Sequence, residues 1–227
     1  MAQLKVSHIS KAFDDQEILK DVTLELRDNE LVSLLGVSGG GKTTLFNVIS
    51  GLLKPEEGQV FLDGKDITGQ PGNVSYMLQK DNVALPLIIK GEKKKEARKK
   101  ARSYFPEFGL EGTEKKYPSQ LSGGMRQRAA LLRTYMFSDK IALLDEPFSA
   151  LDTLTKSAMH KWYLKVMEQI HLSTIFITHD IDEAILLSDR IYLLTGQPGS
   201  ITAEIKIREP KPRREDFNLT PEFLEYK

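Results

Sequence analysis

The string Gly36-Val37-Ser38-Gly39-Gly40-Gly41-Lys42-Thr43-Thr44 constrains this chain more than any other stretch of it. Gly36, four residues and then Gly41-Lys42-Thr43 is the spacing of a P-loop, a glycine-rich bend whose successive N–H groups point inward at phosphate oxygens. The apolar run Leu31–Leu35 before it reads as a buried strand. Thr43 to Ile49, with apolar residues at Leu45, Phe46, Val48 and Ile49, reads as the helix that follows. The bend therefore falls at a helix N-terminus, where unpaired amides and the helix dipole favour an anion. In this reading Lys42 reaches the outer phosphates and the Thr43 hydroxyl holds Mg²⁺. A chance glycine-rich turn would not place strand, loop and helix in that order.

A second string, Ile141-Ala-Leu-Leu-Asp145-Glu146, is an apolar run ending in two carboxylates. It describes a central parallel strand of Walker B type whose C-terminal end opens onto the site, where open α/β sheets bind ligands. Side chains alternate along a strand, so adjacent carboxylates can divide the work: Asp145 toward Mg²⁺ and Glu146 toward the attacking water. Around these strings Leu4–Ile9, Val22–Leu26, Val60–Leu62 with a turn at Asp63-Gly64, and Val74–Leu78 read as strands, the earlier ones forming an antiparallel layer. Residues 82–137 take on helical character. Ile141–Leu144, Thr174–Thr178 and Ile191–Leu194 are then buried-strand runs separated by helices at Thr155–Ile170 and Ile181–Leu187, which implies a parallel α/β sheet. The Pro- and Arg-containing stretch Glu209–Arg214 is expected to be a loose surface excursion.

Composition narrows the partners. Thirty-two basic and thirty-two acidic residues cancel, so no global charge draws the chain to nucleic acid or to an anionic membrane. The absence of cysteine excludes disulfides and thiolate metal sites and fits a reducing compartment. No secretory leader pattern opens the sequence, and no apolar run approaches the ~18 residues of a membrane span. The stretch Lys90–Arg102 is heavily basic but lacks interleaved aromatics before Tyr104 and carries Glu92 and Glu96 at helical spacing, which reads as a solvated helix face. Lipid head groups near a membrane partner are the other reading.

The third string is Leu121-Ser122-Gly123-Gly124-Met125-Arg126-Gln127-Arg128. Its Ser-Gly-Gly turn opens a helix and makes a second anion site, for which a monomer holding one ATP has no evident use. Together with the first two strings it resembles the signature of ATP-binding cassette (ABC) ATPases, in which two subunits face head to tail and each signature loop closes on nucleotide held by the other P-loop. Met125 stands where that family usually has glutamine. The resemblance covers nearly the whole chain. It implies a P-loop NTPase (RecA-like) α/β core with an antiparallel β layer and a helical signature subdomain. The core and layer are expected over 1–79 and 139–208, the subdomain over 80–138 and a C-terminal tail over 209–227.

By the same resemblance Phe13 stacks on adenine, Gln79 senses Mg²⁺ and the attacking water, Asp152 of Ser149-Ala-Leu-Asp152 crosses the dimer interface, and His179 contacts the γ-phosphate. Gln79 and Asp145 then join Thr43 around Mg²⁺. Val37, Ser38, Gly39, Gly40, Gly41, Lys42 and Thr44 with Gly36 wrap the phosphates, and Ser122, Gly123 and Gly124 complete the pocket from the partner copy. Only Lys80 and Asp81 separate Gln79 from Asn82-Val-Ala-Leu-Pro86. The family has a longer stretch there, so this is either a true deletion or a partner-docking loop missing from the sequence, the second being favoured.

The implied function is the ATP-hydrolysing motor subunit of an importer, a homodimer on binding ATP with Mg²⁺. It would sit on the cytoplasmic face of the cell membrane through permease subunits, served by a substrate-binding protein, with no nucleic acid expected. Pro147–Asp152, Thr178–Ala184 and Leu193–Gly199 are most similar to the nitrate, sulfonate and taurine importer branch, with importers of pyrimidine-type vitamin precursors close by. The alternative, a non-transport ABC ATPase acting on DNA or ribosomes, usually has long coiled coils, metal sites or fused cassettes, none of which occur here. A P-loop kinase or GTPase leaves the signature string unexplained.

Overall fold

The computed structural model describes residues 2–77, 83–114, 116–117, 120–138, 140–149, 151–211, 213–214 and 216–227. Gln79, and with it the expectation placed on the 78–82 stretch, lies outside them. The chain divides into two compact units, residues 1–74, 143–146 and 173–227 in the first and 75–142 and 147–172 in the second.

The first unit holds an antiparallel layer and a mainly parallel sheet. The layer comprises β1 (Ala2–Phe13), β2 (Gln16–Arg27), β4 (Glu57–Leu62) and β5 (Lys65–Asp66) in the order β2-β1-β4-β5. Leu19, Val22, Leu24 and Leu26 are buried along β2 while their neighbours face outward, the alternation of a half-covered strand. Asp63 and Gly64 close the β4–β5 hairpin with φ of 50° and 80°, a two-residue turn matched to strand twist. The strands run several residues beyond the apolar cores read from sequence, because polar positions such as Lys11 and Glu17 extend the ladder without an apolar signal.

β3 (Leu31–Leu35) pairs in parallel with β8 (Ser173–Thr178) and β9 (Arg190–Thr195), and β10 (Ser200–Lys206) adds antiparallel at the edge. Beyond β8 lies β7 (Ile141–Asp145). Every residue of β8 is buried, and so are Leu31–Leu34 and Ile141–Leu144, as parallel strands covered on both faces require. Helix α1 (Lys42–Ile49) follows β3, and α6 (Ile181–Leu187) links β8 to β9, capped by Asp180, whose carboxylate accepts from the Glu183 amide at 3.0 Å.

A buried ion pair braces the sheet edge. The Arg190 guanidinium donates to both Glu30 oxygens at 2.6 and 2.8 Å, to Glu204 at 2.8 Å and to the Glu25 carbonyl at 2.8 Å. These bonds satisfy the desolvated charge and hold the Arg190 pKa well above its usual value.

The tail corrects the sequence expectation. Arg213 donates to the Ile185 and Ser188 carbonyls at the end of α6, Lys211 pairs with Asp189 at 2.7 Å, and Phe217 and Phe223 are buried with Ala184, Ile185, Ile191 and Ile207. The described residues of 209–227 thus pack against the first unit, because two phenylalanines beyond the Pro- and Arg-rich stretch supply the apolar surface that its composition hides.

The second unit contains the short strand β6 (Ser75–Tyr76) and helices α2 (Leu85–Ile89), α3 (Lys94–Ser103), α4 (Gly123–Phe137) and α5 (Thr153–Ile170). It takes in 147–172 as well as the 80–138 stretch expected to form the helical subdomain. Phe108 meets Tyr135 and Trp162 at ring separations of 6.1 Å, and Phe148 meets Tyr163 at 5.5 Å, so aromatic packing joins α5 to this unit. Of Val74–Leu78, read as one strand, only Ser75–Tyr76 pairs as a strand among the described residues. Among the described residues no helix is long and apolar enough to cross a membrane.

Candidate functional site

The P-loop forms where β3 hands over to α1. Gly41 stands immediately before the helix with φ 87°, and a Cβ there would lie 2.7 Å from Leu19 Cδ2, so both backbone sign and space demand glycine. The Gly40 amide closes a turn on the Val37 carbonyl at 3.2 Å, and the first helical bond runs from Leu45 N to Gly41 O at 2.9 Å. The amides of Lys42, Thr43 and Thr44 therefore belong to the first turn, which has no intrahelical acceptors. Val37, Ser38 and Gly39 form the exposed crest of the loop.

Lys42 is buried, its ammonium donating to the Gly36 and Val37 carbonyls at 2.7 Å each. Desolvation lowers its pKa, while the charges of Glu146 and Asp145 act in the opposite direction. The lysine thus stands inside its own loop with the carboxylates of the other motif within electrostatic reach.

Asp145 ends β7 and Glu146 follows it directly. The Thr43 hydroxyl donates to Asp145 Oδ2 at 3.2 Å, bringing together two oxygens 102 residues apart in sequence. Glu146 adopts φ 46°, a left-handed conformation unusual for a glutamate, while its amide donates to the Ile177 carbonyl of β8 at 3.1 Å. Such a backbone costs of the order of 1 kcal/mol and persists where the surroundings enforce it. It redirects the side chain so that Glu146 Oε1 meets His179 Nδ1 at 3.0 Å. His179 sits just past β8, directly before the Asp180 cap of α6, and is largely exposed.

Phe13 is the last residue of β1 and keeps an exposed ring, with Lys11 Nζ 5.3 Å from its centroid and Lys11 itself 2.5 Å from Glu56.

One contact escaped sequence reasoning. Gly199 in the turn after β9 packs on the P-loop so closely that a Cβ would lie 2.4 Å from the Gly40 carbonyl oxygen. Its own amide donates to Ile18 O at 2.9 Å and its carbonyl accepts from Lys20 N at 3.0 Å. The outer wall of the cradle is thus set by a residue 159 positions downstream, which no local pattern announces.

In the second unit Ser122 caps α4, its hydroxyl accepting from the Met125 amide at 3.2 Å, and Arg126 donates to the Leu121 carbonyl at 3.1 Å. Ser122 is exposed and Gly123 and Gly124 half-buried. A Cβ on Gly124 would touch Met159 and Thr155 of α5 at 3.6–3.7 Å, an ordinary packing distance. Asp152 caps α5 by accepting from Thr155 N at 3.0 Å, and hydrogen bonds from Thr155 hold its pKa below the usual carboxylate range. Both residues thus have structural work as caps beside the roles that the resemblance implies. Met125, at the position of the family glutamine, gives its amide to the cap.

The ABC transporter family matches residues 19–149, which include the P-loop, the signature string and the Asp145-Glu146 pair. The formylaminopyrimidine import ATP-binding protein of Halalkalibacterium halodurans is 41% identical over 215 residues, spanning 90% of this chain and 84% of that protein. The nitrate import ATP-binding protein of Synechocystis is 35% identical across 92% of this chain and 84% of its own. Among solved structures, a dimeric ATP-binding cassette in a post-hydrolysis state with ADP and phosphate superposes with a TM-score of 0.74 at 30% identity, covering 90% of this chain and 99% of that one. An ATP-binding cassette of an ABC transporter covers all of this chain and 98% of its own at TM-score 0.81 and 23% identity, a likeness of fold. The P-loop NTPase fold with its antiparallel layer, the three strings and these relatives converge: the chain belongs to the ABC transporter family, as its ATP-binding, ATP-hydrolysing subunit.

Proposed function

We propose that two copies of this chain form the ATP-driven motor of an importer and that separate membrane permease subunits, fed by a substrate-binding protein, convert its closure into transport. The observation that carries this reading is the convergence at one sheet end of Lys42, the Thr43–Asp145 pair and the Glu146–His179 pair. The donor set fits Mg²⁺: a hydroxyl and a carboxylate oxygen 3.2 Å apart are the hard ligands that this ion takes. Bound there with Gln79 as a further ligand, the ion would neutralise charge on the β- and γ-phosphates.

The chain's own groups do the rest. Amides from Gly36 to Thr44 orient the phosphates, Lys42 turns its ammonium from loop carbonyls toward the outer ones, and Phe13 offers its ring to adenine. Glu146 polarises a water for attack, with His179 holding its carboxylate in place and contacting the γ-phosphate. Ser122, Gly123 and Gly124 of the facing copy supply the last donors, and Asp152 crosses the interface. ATP bridges both cradles and ADP does not, which makes closure a matter of differential binding.

The names of the two relatives support a small solute as cargo, first one of the nitrate, sulfonate or taurine kind and second a pyrimidine-type precursor. The chain then works at the cytoplasmic face of the membrane, held there by its permease.

Light scattering on Glu146→Gln with saturating Mg·ATP tests the reading, with a dimer expected. A species that stays monomeric would overturn the sandwich. Co-purification of a multi-span partner from detergent extract tests the transport half, and recovery of ribosomes or DNA in its place would refute it.

A further inference from the structure

Helix α3 carries a surface that the ATPase chemistry does not use. It buries only Ala97 and Ala101 and exposes the rest of its length from Lys94 to Ser103. At 3.6 residues per turn, Lys94, Lys95, Arg98, Lys99 and Arg102 fall within about 140° of arc, a stripe beginning at the border of the buried alanines. Glu96 lies beyond the far edge of the stripe. Among the described residues the ion pair recorded for α3 joins Lys100, outside the stripe, to Glu92 at 3.5 Å, and the five cations of the stripe make none.

Two local rules disfavour this arrangement. Lys94, Arg98 and Arg102, and likewise Lys95 and Lys99, are like charges at i,i+4, which weakens a helix. The helix also opens on Lys93-Lys94-Lys95 with no capping side chain, at the end where the dipole favours acids. Because the chain as a whole is neutral, the stripe is a local concentration with no origin in a basic composition.

We propose that this stripe is a docking surface for anionic phospholipid head groups beside the permease, an inference that rests on the membrane-associated reading above. Charge complementarity selects the occupant. Nucleic acid fits less well, since Tyr104, the nearest aromatic ring, is half-buried edge-on against Tyr135 at 5.3 Å and offers no stacking platform. A cation near an anionic leaflet strengthens attachment about fivefold, and the attraction fades within a Debye length.

The test is co-sedimentation of the wild-type chain with phosphatidylglycerol–phosphatidylcholine vesicles against phosphatidylcholine alone, at low and high salt. It is repeated with Lys94, Lys95, Arg98, Lys99 and Arg102 all changed to Gln, a residue that preserves helix propensity. Salt-sensitive binding to the anionic vesicles alone is expected, with a loss of about 10²-fold or more in the variant and unchanged ATP turnover. Equal binding to both vesicle types, equal binding by the variant, displacement by inorganic phosphate, or preference for a single-stranded RNA of matched charge would each overturn the proposal. If vesicle binding fails while the permease still co-purifies, this inference falls and the transporter reading stands; the reverse pattern refutes the transporter reading alone.

Discussion

The two units hold their motif residues differently. In the first, residues from three separate stretches of chain already meet in pairs, Thr43 with Asp145 and Glu146 with His179, while Lys42 is held by the carbonyls of its own loop. In the second, an exposed Ser122 and two half-buried glycines form a helix start whose cap bond is local to the turn. The first draws its bonds from distant stretches of one polypeptide; the second, in the proposed function, acts on phosphate supplied by another molecule. Under the proposed function the contrast gives nucleotide affinity and turnover different owners, with binding assigned to the first unit and hydrolysis to both.

The sharpest way to break that division is Glu146→Gln. Loss of the general base is expected to lower turnover by about 10²-fold or more while ATP affinity holds; unchanged single-turnover hydrolysis removes Glu146 from the role. Next in size, Lys42→Ala is expected to weaken ATP binding by about 10–10²-fold, the worth of a charged hydrogen bond. Equilibrium dialysis showing normal affinity would take the lysine out of the phosphate site. Ser122→Ala is expected to cut turnover by about tenfold and to cost roughly 1 kcal/mol of stability as a lost helix cap, with monomer ATP affinity untouched. A fall in that monomer affinity would erase the contrast. Gly199→Ala, which forces the Gly40 carbonyl to move, is expected to weaken ATP binding by several-fold, roughly the effect of mild overpacking, and calorimetric titration checks it.

The smallest effect lies far from the chemistry. The hydrogen bond from Lys11 holds the Glu56 carboxyl below its ordinary range, so the folded chain takes up this proton less readily than the unfolded one. Its stabilisation is complete above about pH 4.3 and is lost as pH falls through the lower, folded value. With Glu56 about half exposed it amounts to no more than about 0.5 kcal/mol, and Glu56→Gln should remove that slope from acid denaturation curves.

The sequence made some of this legible and hid the rest for definable reasons. Lys42 and Asp145 could be read because their chemistry demands contiguous neighbours of fixed type, a bend before a helix and an apolar strand before a carboxylate. The Gly199–Gly40 contact could not, since it depends on how a turn after β9 lands on a loop after β3. Arg190 and Glu30 likewise meet across 160 residues, and each alone looks like an ordinary charged residue. β10 alternates half-buried with exposed positions and so lacks the apolar run that marked its neighbours. Phe217 and Phe223 were masked by the Pro- and Arg-containing stretch ahead of them, although aromatics six residues apart are a fair sign of docking in a highly charged tail.

The left-handed backbone at Glu146 has a consequence for what can replace it. Glycine, asparagine and aspartate tolerate that conformation most readily, yet none of them offers a carboxylate at the length that reaches His179 Nδ1. Residues that relax the chain and residues that preserve the reach form two nearly separate sets. A substitution at this corner therefore either relaxes the backbone or keeps the reach to His179, and the wild-type glutamate keeps the reach while bearing the strain.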